Sequence, residues 1–180
     1  MAVKTKPVLP TKTPKKWKGK QFKPVVEIVD PMKDWILDKE IHADLAIDVN
    51  VFSFMVDWFG ENGFNEITGF AYQEEGVLKW ATWSDTGSGG SVVNSVDGER
   101  KAVLEASKDG YYLNIQWHTQ PDLGVFWAIT DRVQQAARVK RMGKDNEIHF
   151  VVFDGVKWLV RKIITANGVI SYNDGKMYLE

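Results

Sequence analysis

Two residues open the chemical reading of this chain, His118 and Asp131. His118 follows an apolar run, Tyr111 to Ile115, that reads as a buried strand. The chain then breaks at Pro121 and Gly124 and restarts at Thr130-Asp131, where a helix is expected to begin. A strand-end imidazole and a carboxylate at a helix N-terminus would face one turn. In that geometry the two can share a metal ion. Taken alone the pair is a weak signal, because a single strand-end histidine is more often structural.

The residues around the pair sharpen it. The stretch from Gln116 to Asp131 includes His118, Gln120-Pro121, the spacer Gly124-Val125-Phe126-Trp127, Ala128 and Asp131. It resembles the zinc-binding signature of the JAMM/MPN (JAB-domain) metallo-isopeptidases: His-x-His-Pro, a spacer, then Ser-x-x-Asp, with a catalytic glutamate upstream. His118, Pro121 and Asp131 fall in register with that pattern. Gln120 stands where the second histidine ligand belongs, and Ala128 where the serine belongs. The resemblance covers roughly residues 44 to 180. It implies an α/β (α+β) fold, a central mixed β-sheet flanked by helices, MPN- and cytidine-deaminase-like. It also implies that Glu66, in the strand Glu66-Ile67-Thr68-Gly69-Phe70, is the family's general base or its vestige. His118 and Asp131 would be the remaining metal ligands, with Gln120 a weak or vestigial third, since a neutral amide oxygen is a poor donor to Zn²⁺. Ala128 has no hydroxyl to steady an oxyanion, a loss worth ~10²–10³ in turnover by itself. His42 and His149 occupy no ligand position in the pattern.

The elements that must position these residues can be read from periodicity. Val51, Phe52, Phe54, Met55, Trp58 and Phe59 recur at helical spacing, with Asn50 as the expected N-cap and Gly60 or Gly63 as the stop. Glu66 to Tyr72 and Val77 to Trp83 alternate and form a hairpin about Gly76. Asp85 to Ser91 is a Gly/Ser loop, expected beside the site, without the Gly-Lys-Ser/Thr of a phosphate loop. Helices are expected from Glu99 to Lys108 and from Asp131 to Gly143. Strands are expected at Ile148–Phe153, Lys157–Thr165 and Val169–Tyr172, turning at Asp154-Gly155 and Asn167-Gly168. Asp34 to Ile41 reads as a short helix, and Val25 to Val29 as a short strand.

Composition divides the chain. Eight lysines lie before the first acid, Glu27, and residues 1–31 hold five of the six prolines. The remainder carries 15 basic and 24 acidic residues, a formal −9, against −1 for the whole. A basic arm is thus joined to an acidic body. Residues 1–43 read as an extended Lys/Pro-rich arm and connector, and 44–180 as the domain. The ordinary reading of such an arm is a solvated tail. Within it Lys15, Lys16, Trp17, Lys18, Lys20 and Phe22 form the expected partner-binding segment, because aromatics anchor extended peptides. A neighbouring protein subunit is the favoured partner, and nucleic acid through the basic arm is the second.

There are no cysteines, which rules out disulfides and thiolate zinc sites. No apolar run has the length of a signal core or a membrane span, so a soluble protein with no membrane partner is expected, intracellular or virion-associated. The resulting expectation is a non-catalytic JAMM/MPN-fold module, a structural or protein-binding part of a larger homo-oligomeric assembly such as a virion, without cofactor. The alternative is a zinc-dependent isopeptidase with Glu66 as general base.

Overall fold

The computed structural model describes residues 29–180. In chain order the elements are β1 (Ile36–Leu37), β2 (Leu45–Ile47), α1 (Val49–Asn62), β3 (Ile67–Glu74), β4 (Val77–Thr86) and α2 (Val96–Lys108). They continue as β5 (Ile115–Thr119), α3 (Ile129–Met142), β6 (Glu147–Phe153), β7 (Trp158–Ala166), β8 (Val169–Gly175) and β9 (Met177–Leu179). The nine strands make one mixed sheet in the order β1-β8-β7-β6-β5-β3-β4-β2-β9. The fold is α+β, as expected.

Alternation along the strands gives each face its own core. On one face Ile67, Ala71, Ile115, Trp117 and Val151 pack with Val51 and Met55 of α1. Helix α1 presents its aromatic side there: Trp58 stacks on Trp117 at 6.0 Å and Phe59 lies on Phe153 at 5.2 Å. On the other face Phe150, Val152 and Ile163 pack with Trp127 and Val139 of α3. Strand β6 is buried on both sides, which is why Ile148 to Phe153 reads as an uninterrupted apolar run with one histidine in it. Helix α2 lies against β3 and β4 and is tied to α3 by the ion pair between Arg138 and Glu99. The Arg138 guanidinium sits 5.3 Å above the Phe70 ring.

Three local expectations need correction. Asp34 to Ile41 is not a helix: Ile36–Leu37 pairs in parallel with β8, and Asp38 N donates to Tyr172 O at 2.9 Å. Sheet-edge pairing, with Trp35 packed edge-on to Tyr172, outweighs the weak local pattern there. The strand expected at Tyr111–Ile115 begins only at Ile115 and runs on to Thr119. Asn114 causes the offset, because its amide bonds both Gln73 N and Gln73 O at 2.8 Å and holds the approach to β5 as a loop. The N-cap of α1 is Asp48, whose Oδ1 accepts from Asn50 N at 2.8 Å, and the helix passes through Gly60 to end at Gly63.

Residues 29–43 of the expected connector lie along the sheet: Met32 is buried and Asp30 pairs with Arg132 at 2.8 Å. The segment Lys15, Lys16, Trp17, Lys18, Lys20, Phe22 lies outside the described residues, as does the strand expected at Val25 to Val29 except for Val29 itself. Among the described residues no helix is long and apolar enough to cross a membrane.

Candidate functional site

Glu66, His118, Gln120, Ala128 and Asp131 line one cleft of about 180 Å³ on the α2/α3 side of the sheet. Strand register brings them together. Thr68 of β3 pairs with His118 of β5, so Glu66, Thr68 and His118 project to the same face. Ile67 N donates to Thr119 Oγ1 at 3.0 Å, and the Thr68 hydroxyl donates to Trp117 O at 2.7 Å, which locks the two strands side by side. Gly69 permits this contact: a Cβ there would lie 1.9 Å from Thr82 O and 2.5 Å from the Trp117 ring. The Gly/Ser loop closes over Glu66, with Gly87 N donating to Glu66 O at 2.8 Å and Glu66 N to Ser88 O at 3.2 Å. That loop lies beside the site, where the sequence reading put it.

After β5 the chain turns sharply. Gln120 N donates to Phe153 O at 2.8 Å, and Asp122 and Gly124 both take positive φ. The turn delivers Ala128 as the N-cap of α3 and Asp131 as its third residue. The Asp131 carboxylate accepts from Ala128 N at 2.8 Å and from Gln120 Nε2 at 3.3 Å, both on Oδ2. Its other oxygen lies 3.3 Å from His118 Nε2. An acid in this position completes half of a capping box and sits at the positive end of the helix. Ala128 has no hydroxyl for the other half.

The electrostatics follow from burial. Glu66 is 7% exposed, and desolvation, reinforced by the negative charge of Asp131, pushes its carboxyl up to about 7. Burial depresses the pKa of His118, opposed by the carboxylate of Asp131. Near neutral pH the cleft therefore holds an acid, Glu66, that keeps its proton far more readily than an exposed carboxyl, and a neutral imidazole, His118. Two buried polar atoms here have no hydrogen-bond partner, His118 Nε2 and Gln120 Oε1.

As a metal site this donor set is incomplete. A catalytic zinc takes three strong ligands and a water. Here there are one imidazole nitrogen, one carboxylate already engaged by two N–H donors, and an amide whose nitrogen points at that carboxylate. Among the described residues no three His, Asp or Glu side chains close on a common point. Three polar residues at the cleft were missed from sequence: Ser91, Thr130 and Gln134. Ser91 lies in the Gly/Ser loop already placed beside the site, and Thr130 is two residues from Ala128; Gln134 had no local signal.

No protein-family model and no curated protein matches the chain. Among solved structures, the solution structure of a protein from Desulfitobacterium hafniense is similar over 76% of this chain and 92% of that one, at 13% identity and a TM-score of 0.46.

Proposed function

We propose that this chain is a disarmed JAMM/MPN-type domain, kept as a structural or protein-binding module in a larger homo-oligomeric assembly such as a virion. Its N-terminal arm contacts neighbouring copies. The observation that carries the reading is the state of Asp131. Its carboxylate caps α3 through Ala128 N and holds Gln120 by the amide nitrogen, so the would-be ligand serves the fold. Gln120 and Ala128 remove one strong ligand and one hydroxyl from the same cleft, which leaves Glu66 with no activated water to deprotonate.

The orphaned atoms His118 Nε2 and Gln120 Oε1 favour a second reading, a zinc-dependent isopeptidase or other metallopeptidase. His118, Asp131 and Gln120 would then hold the metal, and Glu66, titrating near neutrality, would act as general base. Bound zinc would supply a hydroxide-like water and polarise the carbonyl.

Metal content of the untagged protein and of a Gln120→His, Ala128→Ser double variant separates the two. The disarmed reading expects metal-free native protein and about one zinc per chain in the double variant. Stoichiometric zinc in the native protein overturns it and moves the question to cleavage of isopeptide-linked substrates, with Glu66→Gln as control.

A further inference from the structure

A second cleft, of about 350 Å³, opens on the α1 side of the sheet at the opposite strand ends from the first. His42, Asp44, Glu75, Glu147, His149 and Lys162 line it. Three carboxylates face a single cation, and that cation is engaged, with Lys162 Nζ 3.4 Å from Glu147. Asp44 keeps one oxygen on Lys176 N at 2.7 Å. His149 is 4% exposed, and its Nδ1 has no hydrogen-bond partner. Burial, with the Lys162 ammonium second, pushes this imidazole down to about 4, so it is neutral at physiological pH. A neutral imidazole carries one acceptor nitrogen, so the ring can take an N–H. The cleft therefore offers carboxylates and imidazole to a cation that brings its own N–H donors. A primary ammonium has that chemistry.

This chain carries such a ligand. Its first 24 residues hold eight lysines and no acid, and the rest of the chain is formally −9. The described chain begins on the other side of the sheet, where Asp30 pairs with Arg132 and Met32 touches Arg161. Arg161 and Lys162 are neighbours on β7 and project to opposite faces, so the origin of the arm and the cleft lie on opposite sides. We propose that lysines of the N-terminal arm of a second copy of this chain dock in the cleft formed by Asp44, Glu75, Glu147 and His149. The inference rests on the assembly reading above and gives the arm its receptor. The arm of a neighbouring copy is the favoured occupant because the described chain begins on the face of the sheet opposite the cleft.

The test is zero-length carbodiimide coupling of lysine to carboxylate on the full-length protein, with ¹⁵N-labelled and unlabelled chains mixed and allowed to exchange. The expected result is mixed heavy–light peptides joining lysines of residues 4–23 to Asp44, Glu75 or Glu147. In parallel, Glu75→Gln, Glu147→Gln should weaken self-association about tenfold while leaving the melting temperature unchanged, as expected when charges at an interface are lost. Coupling confined to a single chain overturns docking on a second copy. Coupling to other carboxylates with self-association intact overturns the cleft as receptor but leaves the assembly reading standing. A chain that stays monomeric at every concentration overturns both.

Discussion

The two clefts are built from similar side chains and have opposite electrostatic designs. The first sets Glu66 beside the charged Asp131, and burial makes an acid hold its proton up to about 7. The second sets His149 beside Lys162, and burial makes a base give up its proton until about 4. In both, desolvation is the largest cause and a like-charged neighbour adds to it. The first cleft thereby stores a neutral acid, and the second a neutral acceptor. Burial favours the neutral form in both, the like-charged neighbour reinforces it, and what the group then offers a ligand follows from its being an acid or a base.

The comparison can be broken at its foundation by Gly69→Ala. A methyl 1.9 Å from Thr82 O must push β3 away from β4 and from Trp117. The expected cost is about 3 kcal/mol in denaturant unfolding, typical of overpacking against backbone. The first cleft should be distorted, while the second, at the other strand ends, keeps its His149 titration by NMR.

The pH response separates the clefts next. Glu66 binds its proton more tightly folded than unfolded, so its contribution is fully present below about 4.5 and is lost as pH rises to about 7. His149 behaves in the opposite sense: its contribution is present above 6.5 and is lost as pH falls to about 4. His118, also depressed, adds to the His149 side. The windows overlap, so Glu66 offsets only part of the two histidines, and the native protein should gain stability gently as pH rises between 4.5 and 6.5. Glu66→Gln should unmask a steep rise with pH and gain up to about 3 kcal/mol at pH 8, from a shift of 4.5 to about 7. His149→Gln should remove much of the loss at acid pH. Parallel slopes in the two variants would show that the clefts do not differ in this way.

Ala128→Ser comes third. A hydroxyl at the N-cap of α3 would complete the box that Asp131 half makes, for a gain of about 1 kcal/mol. No gain would mean that the turn through Gly124 already fixes the helix start. The smallest effect is expected for Glu147→Gln, whose partner Lys162 lies 3.4 Å away with Glu147 half exposed: under about 0.5 kcal/mol in thermal stability. Its consequence should appear in self-association instead.

Much of the first cleft was legible before any coordinates. A strand rich in β-branched and aromatic residues, a Pro/Gly break and an acid opening an amphipathic helix are local signals. They placed His118 and Asp131 on one turn without long-range information. The hairpin about Gly76, the strands of the C-terminal half and the helices α1 and α3 follow from the same short-range periodicities. The edges failed where a distant partner decides. β1 exists only because β8 offers a free edge, and β5 starts late only because Asn114 bonds Gln73, 41 positions away.

What the sequence determined by itself is the set of local elements, the division into basic arm and acidic body, and the placing of His118 and Asp131 on one turn, with Glu66 added only through the family resemblance. The tertiary structure alone decided that Asp131 is occupied as a helix cap and that Thr68 and Thr119 clamp β3 to β5. It also decided that His42, Asp44, Glu75, Glu147 and His149 share a second cleft. Those residues come from three separate segments, and no periodicity connects them. Only sheet order and register, set by which apolar faces can be buried together, bring such distant groups into one site.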